Sequence, residues 1–234
     1  MCGRFQLSVK GKHISERFNV EVHDQMHRPE PKKAFNIKGY NCAPMQFLPV
    51  ITNQATDKLQ YFRWGLLPQW ANDERIASKM INARAETILE KPAFKTAFAQ
   101  RRCLIPANGF YEWKKLNKKQ PYRFLLKDEK LFAMAGIWES RKNADGTVLN
   151  TFSIITTEAN SLLNNIHDRM PVILHPENEH LWLHSQNVEE LVALLKPYPA
   201  ELMESYPISD RINSVTQDDE RLVNRLDFPI SLFD

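Results

Sequence analysis

The chain has 234 residues, 43% of them hydrophobic and 25% charged, with a formal net charge of +3. That is the composition of an ordinary globular protein with a sizeable core, so disordered and collagenous classes are excluded, and no run approaches the roughly 18 consecutive apolar residues of a spanning helix. Three cysteines (Cys2, Cys42 and Cys103) are too few for a disulfide framework and fit no zinc spacing, so a reducing, cytoplasmic setting is expected.

The length allows one or two domains at about 150 residues each. With no linker and no internal repeat, one domain spanning 1–234 is expected. The N-terminus lacks the apolar core of a secretory signal.

In chain order, residues 13–19 read as a short helix. Phe47–Thr52 and 59–64 read as strands by their β-rich composition. Pro92–Gln100 reads as a helix opened by proline, with Phe94 and Phe98 on one face. Strands follow at 110–113, 122–126 and 131–137. Asp145-Gly146 marks a turn, and 147–156 is the returning strand, richest in β-formers at 152–156. A helix is expected over 158–166, with Leu162, Leu163 and Ile166 inward, and a short strand over 171–174. Asn187 followed by Glu190 resembles a capping box opening Val188, Leu191, Val192 and Leu195, and Pro197 stops that helix. The sum is an α+β fold: a curved antiparallel sheet with peripheral helices.

Cys2 is the first residue of chemical interest. Were Met1 removed, it would become a 1,2-aminothiol, with an amine of pKa about 7.7–8.0 beside a thiol of about 8.5. Such a group condenses with an aldehyde to an imine, and the sulfur then closes a five-membered thiazolidine. The plainer alternative is an incidental terminal residue. Gly3 permits close backbone approach, and Arg4 supplies a permanent cation suited to phosphate, or to a surface ion pair.

Four further features carry possible chemistry. Alternation in Gly109-Phe110-Tyr111-Glu112-Trp113-Lys114 puts Glu112 among aromatics, where desolvation would suit a general acid or base; a surface Glu–Lys pair is the alternative. Asn82, Arg84 and Glu86 would share one face if extended, an arrangement fit for an anion or nucleotide, unless Arg84 and Glu86 simply pair. His167 beside Asp168 looks like a loop-held proton-transfer group, or a structural histidine. Basic and aromatic residues interleave at Arg63-Trp64, Trp70, Lys91, Lys95, Arg101-Arg102, Trp113-Lys114-Lys115 and Lys118-Lys119, the ingredients of a single-strand groove if they are exposed. His180 and His184 lack the glutamate of a zinc-protease motif, and His175-Pro176-Glu177 lacks the cysteines of a zinc deaminase, so no metal is expected.

Eight motifs in order resemble one family. They are Met1-Cys2-Gly3-Arg4-Phe5, Tyr40-Asn41-Cys42-Ala43-Pro44, Trp64-Gly65-Leu66-Leu67-Pro68, Ile81-Asn82-Ala83-Arg84-Ala85-Glu86, Arg102-Cys103-Leu104-Ile105-Pro106-Ala107, Gly109-Phe110-Tyr111-Glu112-Trp113, Ile166-His167-Asp168-Arg169-Met170-Pro171 and Ile208-Ser209-Asp210-Arg211-Ile212-Asn213. The chain resembles the SRAP (SOS response-associated peptidase) family of abasic-site processing proteins over nearly its whole length. That resemblance implies a distorted β-barrel-like core and covalent capture of abasic sites in single-stranded DNA through an N-terminal cysteine. It implies Cys2 as nucleophile and crosslinking residue, Asn82 orienting the opened sugar, Glu112 as acid/base and His167 assisting imine chemistry. It implies DNA binding by Arg4 and Arg84 on phosphates, Trp70 on a base and Asn41 in support. A monomer with no cofactor and no membrane partner is expected, nucleoid-associated in a bacterium or nuclear in a eukaryote. Weak lyase activity by β-elimination and self-removal of Met1 would be side reactions. Cys42 and Asn108 depart from the family pattern without touching the expected chemistry. A cysteine peptidase built on Cys2, His167 and Glu112, and a non-covalent single-strand binder, are the alternatives.

Overall fold

The computed structural model describes residues 2–22, 39–71, 73–115, 119–143 and 145–226, the side chain of Glu129 excepted; Met1 and Lys118 lie outside this set. The sequence favours strands through its β-branched and aromatic runs, and these assemble into two sheets. Five strands close on themselves: β2 (Phe47–Thr52), β3 (Ala55–Trp64), β5 (Arg102–Ala107), β8 (Phe132–Lys142) and β9 (Val148–Glu158), in the cyclic order β9-β3-β2-β5-β8-β9. All pairings in this ring are antiparallel except the β3–β9 seam, where Arg63 faces Thr151 and Trp64 faces Phe152. Closure removes the exposed strand edges that an open sheet would present. Gly136 makes the ring's packing possible: it pairs with Cys103 and Ile154, and a Cβ there would collide with Ile105. The α+β, barrel-like core expected from the sequence is the observed one.

β9 is longer than its part in the ring. Its second half runs out of the barrel and is flanked by β4 (Asn82–Arg84) in parallel and by β10 (Arg169–Pro171) antiparallel. The second sheet, β1 (Phe5–Gln6), β6 (Gly109–Lys114), β7 (Gln120–Leu126) and β12 (Met203–Pro207), is antiparallel in the order β1-β6-β7-β12. Phe110 of β6 enters the main core and stacks on Phe124 at 5.2 Å, while Tyr111 enters a second core with Ile208, Ile212 and Leu222. Both faces of β6 are therefore covered, and alternation puts Glu112 on the same side as Phe110. β11 (Ile173–Leu174) extends β8.

Among the described residues four α-helices pack outside: α1 (Gly11–Phe18), α2 (Pro92–Gln100), α3 (Pro176–His184) and α4 (Val188–Ala193). α2 matches its expected limits, and none of the described helices is long and apolar enough to cross a membrane. Arg102, fully buried, joins α2 to α3 by donating to the carbonyls of Phe98 and Ala99 and of Trp182 and Ser185. These are orphan carbonyls of two helix C-termini, which the guanidinium satisfies.

Two expectations are corrected. The helix over 158–166 does not form. β9 continues to Glu158, and 161–166 is a series of turns. Asn160 fixes them by accepting from the Leu163 amide and donating to the Tyr198 carbonyl, so its side chain competes with a helical start. Only Leu163 of the three apolar residues is fully buried. At Asn187 the capping box is half made: its side chain caps the Glu189 amide, but Glu190 accepts from Ser185 instead of reaching back.

Candidate active site

Cys2, Asn82, Glu112 and His167 come from four separate stretches of chain. Cys2 lies just before β1, which is held against β6 through Phe5–Phe110 pairing and a 3.0 Å bond from the Tyr111 amide to the Arg4 carbonyl. Asn82 opens β4, and His167 precedes β10. Since β4 and β10 both pair with the outer half of β9, one of the barrel's two longest strands anchors the segments that carry Asn82 and His167.

Asn82 Nδ2 donates to the Cys2 carbonyl at 2.9 Å and fixes the backbone at residue 2. The Cys2 thiol is buried. Burial, joined by the negative charge of Glu112, pushes its pKa far above the ordinary thiol range, so the resting group is a thiol and not a thiolate. Cys42 and Cys103 are equally buried and their thiols are also pushed up. What singles out Cys2 is its neighbours, not its burial.

Glu112 is 2% exposed, and burial pushes its pKa up to about 8, with Asp168 adding to the rise. It is therefore mostly protonated at neutral pH and can donate a proton. His167 Nε2 stands 3.9 Å from Glu112 Oε2. Its Nδ1 has two neighbours with opposite demands: the Arg169 amide at 3.0 Å needs a lone pair, and Asp168 Oδ1 at 3.1 Å needs a proton. Burial holds the imidazole below its usual range, and Asp168 is 84% exposed and well solvated. The neutral ring therefore keeps its Nδ1 lone pair for Arg169 and carries hydrogen on Nε2, facing Glu112.

Arg84 is exposed and has no hydrogen bond among the described residues. The alternative Arg84–Glu86 pair is not formed. Glu86 instead accepts both guanidinium arms of Arg169, at 2.7 and 2.8 Å, and Arg169 also donates to the Thr156 carbonyl. This clamp joins the segment after β4 to β10 and leaves Arg84 available. Arg169 lies within a motif read from the sequence, but its partner is 83 residues away, a separation no local pattern reveals.

The other expected binding residues divide. Trp70 is 59% exposed, beside a depression of about 630 Å³ that it lines with Asp73, Arg75, Ile76, Ser78 and Lys79. Arg4 is half-buried. It donates to Asn41 Oδ1 at 2.7 Å and to the carbonyls of Ile212 and Asn213. Asn41 is 1% exposed and its amide donates to the carbonyls of Ile212, Ser214 and Gln217. Its place is below the surface, tying the 39–43 loop to 212–217 and holding Arg4. Gly39 (φ +88°) lets that loop reach β1, where a Cβ would strike the Leu7 carbonyl. Of the interleaved residues, Trp64 is core, Arg102 is the helix clamp and Arg101 pairs with Glu139 at 2.6 Å. Among the described residues, no three His, Cys, Asp or Glu side chains gather as a metal site.

The arrangement is a protonated buried acid and a neutral imidazole beside Cys2. The chain is 45% identical over 228 residues to the abasic site processing protein YoqW of Bacillus subtilis, covering 95% of this chain and 99% of that one. It is 31% identical to the abasic site processing protein HMCES of Xenopus tropicalis, covering 75% of this chain and 62% of the relative. A crystal structure of a Bacteroides thetaiotaomicron protein superposes with a TM-score of 0.84 at 33% identity, over 96% of this chain and all of the other. The family model for SOS response associated peptidase (SRAP) matches residues 1–215. Sequence and fold agree: the chain belongs to the SRAP family.

Proposed function

We propose that the protein captures abasic sites in single-stranded DNA covalently, through a thiazolidine formed by Cys2 once Met1 is removed. The observation that carries this reading is the buried Glu112 carboxyl, proton-bearing at neutral pH, beside a Cys2 backbone fixed by Asn82. Its relatives YoqW and HMCES are abasic site processing proteins by name.

The chemistry follows from the protonation states. An abasic deoxyribose is mostly a closed hemiacetal. Glu112 gives its proton to the ring oxygen as the anomeric hydroxyl loses one, and the ring opens to an aldehyde. The free Cys2 amine adds to the aldehyde carbon, and loss of one water gives the imine. His167, with hydrogen on Nε2, stands where it can relay protons with Glu112. The Cys2 sulfur then bonds to the imine carbon while its proton passes to nitrogen, and the thiazolidine closes. Because the resting thiol is buried and protonated, the amine attacks first and the sulfur second. The same property disfavours a thiolate-first peptidase. An imine that fails to close can lose the 3′-phosphate by β-elimination, the origin of a weak lyase side reaction. Positioning and exclusion of water are the protein's main contributions.

Arg84 and Trp70 supply an exposed cation and an exposed aromatic surface for the flanking strand. The test is intact mass of the purified protein before and after incubation with an abasic single strand. Loss of Met1 and gain of strand mass less one water are expected. An unchanged yield of that adduct with Cys2→Ala, or with a blocked α-amine, would overturn the proposal.

A further inference from the structure

Cys2 lies just before β1, a strand of only two residues with β6 on one edge. The first residues of a chain stay poorly ordered unless something ties them down. On the other edge of β1 the 39–43 loop stands in for a further strand. Phe5 and Cys42 exchange backbone bonds of 3.1 and 2.9 Å, and the Leu7 amide donates to the Gly39 carbonyl at 2.7 Å. The loop in turn is held by Asp218. Asp218 Oδ1 accepts from the amides of Tyr40 at 2.7 Å and Asn41 at 3.2 Å, and Oδ2 accepts from the Gly39 amide at 3.4 Å. Three successive N–H groups converging on one carboxylate make an anion cradle of charge-assisted bonds.

Asp218 is itself fixed, because Ile212 before it and Leu222 after it are both buried in the second core with Tyr111. Where Asp218 closes this segment over the loop, Asn41 and the Ile212 carbonyl meet the Arg4 guanidinium at 2.7 and 2.6 Å. The Arg4 backbone is pinned as well: its carbonyl accepts from the Tyr111 amide and lies 3.9 Å from the Cys2 sulfur. Each step from Asp218 to Cys2 is therefore a hydrogen bond or the peptide chain. The family model's match ends at residue 215, so Asp218 lies beyond it.

We infer that Asp218 is a positioning residue for Cys2, acting through the 39–41 amides, Asn41 and Arg4. This rests on the function proposed above. Asp218 touches no reacting atom. It clamps the loop that borders β1 and so holds the start of the chain against Glu112. Attack by an amine on an aldehyde is sensitive to placement, and an error of about 1 Å costs up to about 100-fold in rate.

The experiment compares wild type, Asp218→Ala and Asp218→Asn, each freed of Met1, at a temperature where all three are folded. One readout is the single-turnover rate of adduct formation on an abasic single strand. The other, taken without DNA, is alkylation by iodoacetamide, assigned to each cysteine by mass spectrometry. Asp218→Ala should form the adduct about 10- to 30-fold more slowly, while its Cys2 labels about tenfold faster as the terminus loosens. Cys103, fully buried in the barrel wall, is the control and should label as in wild type. Asp218→Asn keeps one oxygen for the Tyr40 and Asn41 amides, which share Oδ1, so both rates should return to within about threefold of wild type. Three results would each overturn the assignment and leave the function standing. They are wild-type adduct speed for Asp218→Ala, Cys2 labelling that is unchanged or matched by Cys103, and an Asp218→Asn protein as slow as Asp218→Ala. A wild type that forms no adduct would remove the function itself, and the assignment with it.

Discussion

His167 Nε2 faces Glu112 Oε2 at 3.9 Å, and the Arg169 amide holds the other ring nitrogen as an acceptor. A protonated carboxyl and a neutral imidazole thus confront each other beside Cys2. The first consequence is a pH profile. Reaction needs Glu112 protonated, with a pKa of about 8, and the Cys2 amine neutral, with an ordinary pKa of about 7.7–8.0. The rate of adduct formation should rise from pH 6 as the amine loses its proton and fall above about pH 8 as Glu112 ionises. Glu112→Gln removes the transferable proton. It should lower the rate on abasic DNA by about 100-fold or more and abolish the alkaline fall. Single-turnover rates between pH 5.5 and 9.5 test both limbs, and a profile that keeps rising past pH 9 in wild type would contradict the assignment of Glu112 as acid.

The same carboxyl burdens the fold. Its pKa is raised from the ordinary 4.5, so above pH 4.5 the unfolded chain releases a proton that the native chain retains. Native stability is therefore undiminished below about pH 4.5 and falls as pH rises from there to about 8, by roughly 1.4 kcal/mol per unit. At pH 7 the deficit is on the order of 3 kcal/mol. Glu112→Gln, which cannot ionise, should be more stable than wild type at pH 7 and nearly equal to it at pH 4.5. Urea unfolding at the two pH values measures the difference. An equal gap at both would show that Glu112 is not desolvated.

Local chemistry was legible where the sequence pattern was local. Alternation in 109–114 already put Glu112 beside aromatics, and covering both faces of β6 buried it. α2 announced itself by its proline and its phenylalanine spacing. α3 did not, because the buried stripe of Trp182 and Leu183 also holds Glu179, which pairs with Arg17 of α1 and masks the amphipathic pattern. β5 was read only as a motif: buried along its whole length, it shows no alternation to mark a strand. Long-range partners were invisible for the same physical reason. Glu86 looks equally ready for Arg84 or Arg169 until β10 docks on β9, and the burial of Asn41 depends on the 212–217 loop closing over it.

Binding should separate from chemistry at Arg84 and Trp70. Arg84 is exposed and makes no hydrogen bond or ion pair among the described residues, so Arg84→Ala should leave stability within about 0.5 kcal/mol of wild type. If it contacts one phosphate, the slope of log affinity against log salt for a single strand should shrink by about 0.7. Trp70→Ala should weaken single-strand binding by about 1–3 kcal/mol, the worth of one stacked base, with little change in that slope. Fluorescence titrations of unmodified strands at several salt concentrations distinguish the two. A Trp70→Ala protein with unaltered affinity would move the stacking surface elsewhere.

Arg102 tests the scaffold apart from the site. It is wholly buried, no carboxylate neutralises it among the described residues, and its donors close the carbonyl ends of α2 and α3. Arg102→Met would keep much of the packing volume and strand all four carbonyls. Lost hydrogen bonds to a charged donor, together with desolvated acceptors, should destabilise the protein by about 3–5 kcal/mol, read from the urea midpoint. Arg102→Lys should recover only part of this, because one ammonium cannot span carbonyls that a planar fork reaches. Neither helix carries a residue of the site, so the adduct rate per folded molecule at low temperature should match wild type. A slowed reaction in a fully folded Arg102→Met protein would mean that the clamp reaches the site through β5, since Arg102 begins that strand and β5 pairs with β8, the direct neighbour of β9 in the ring.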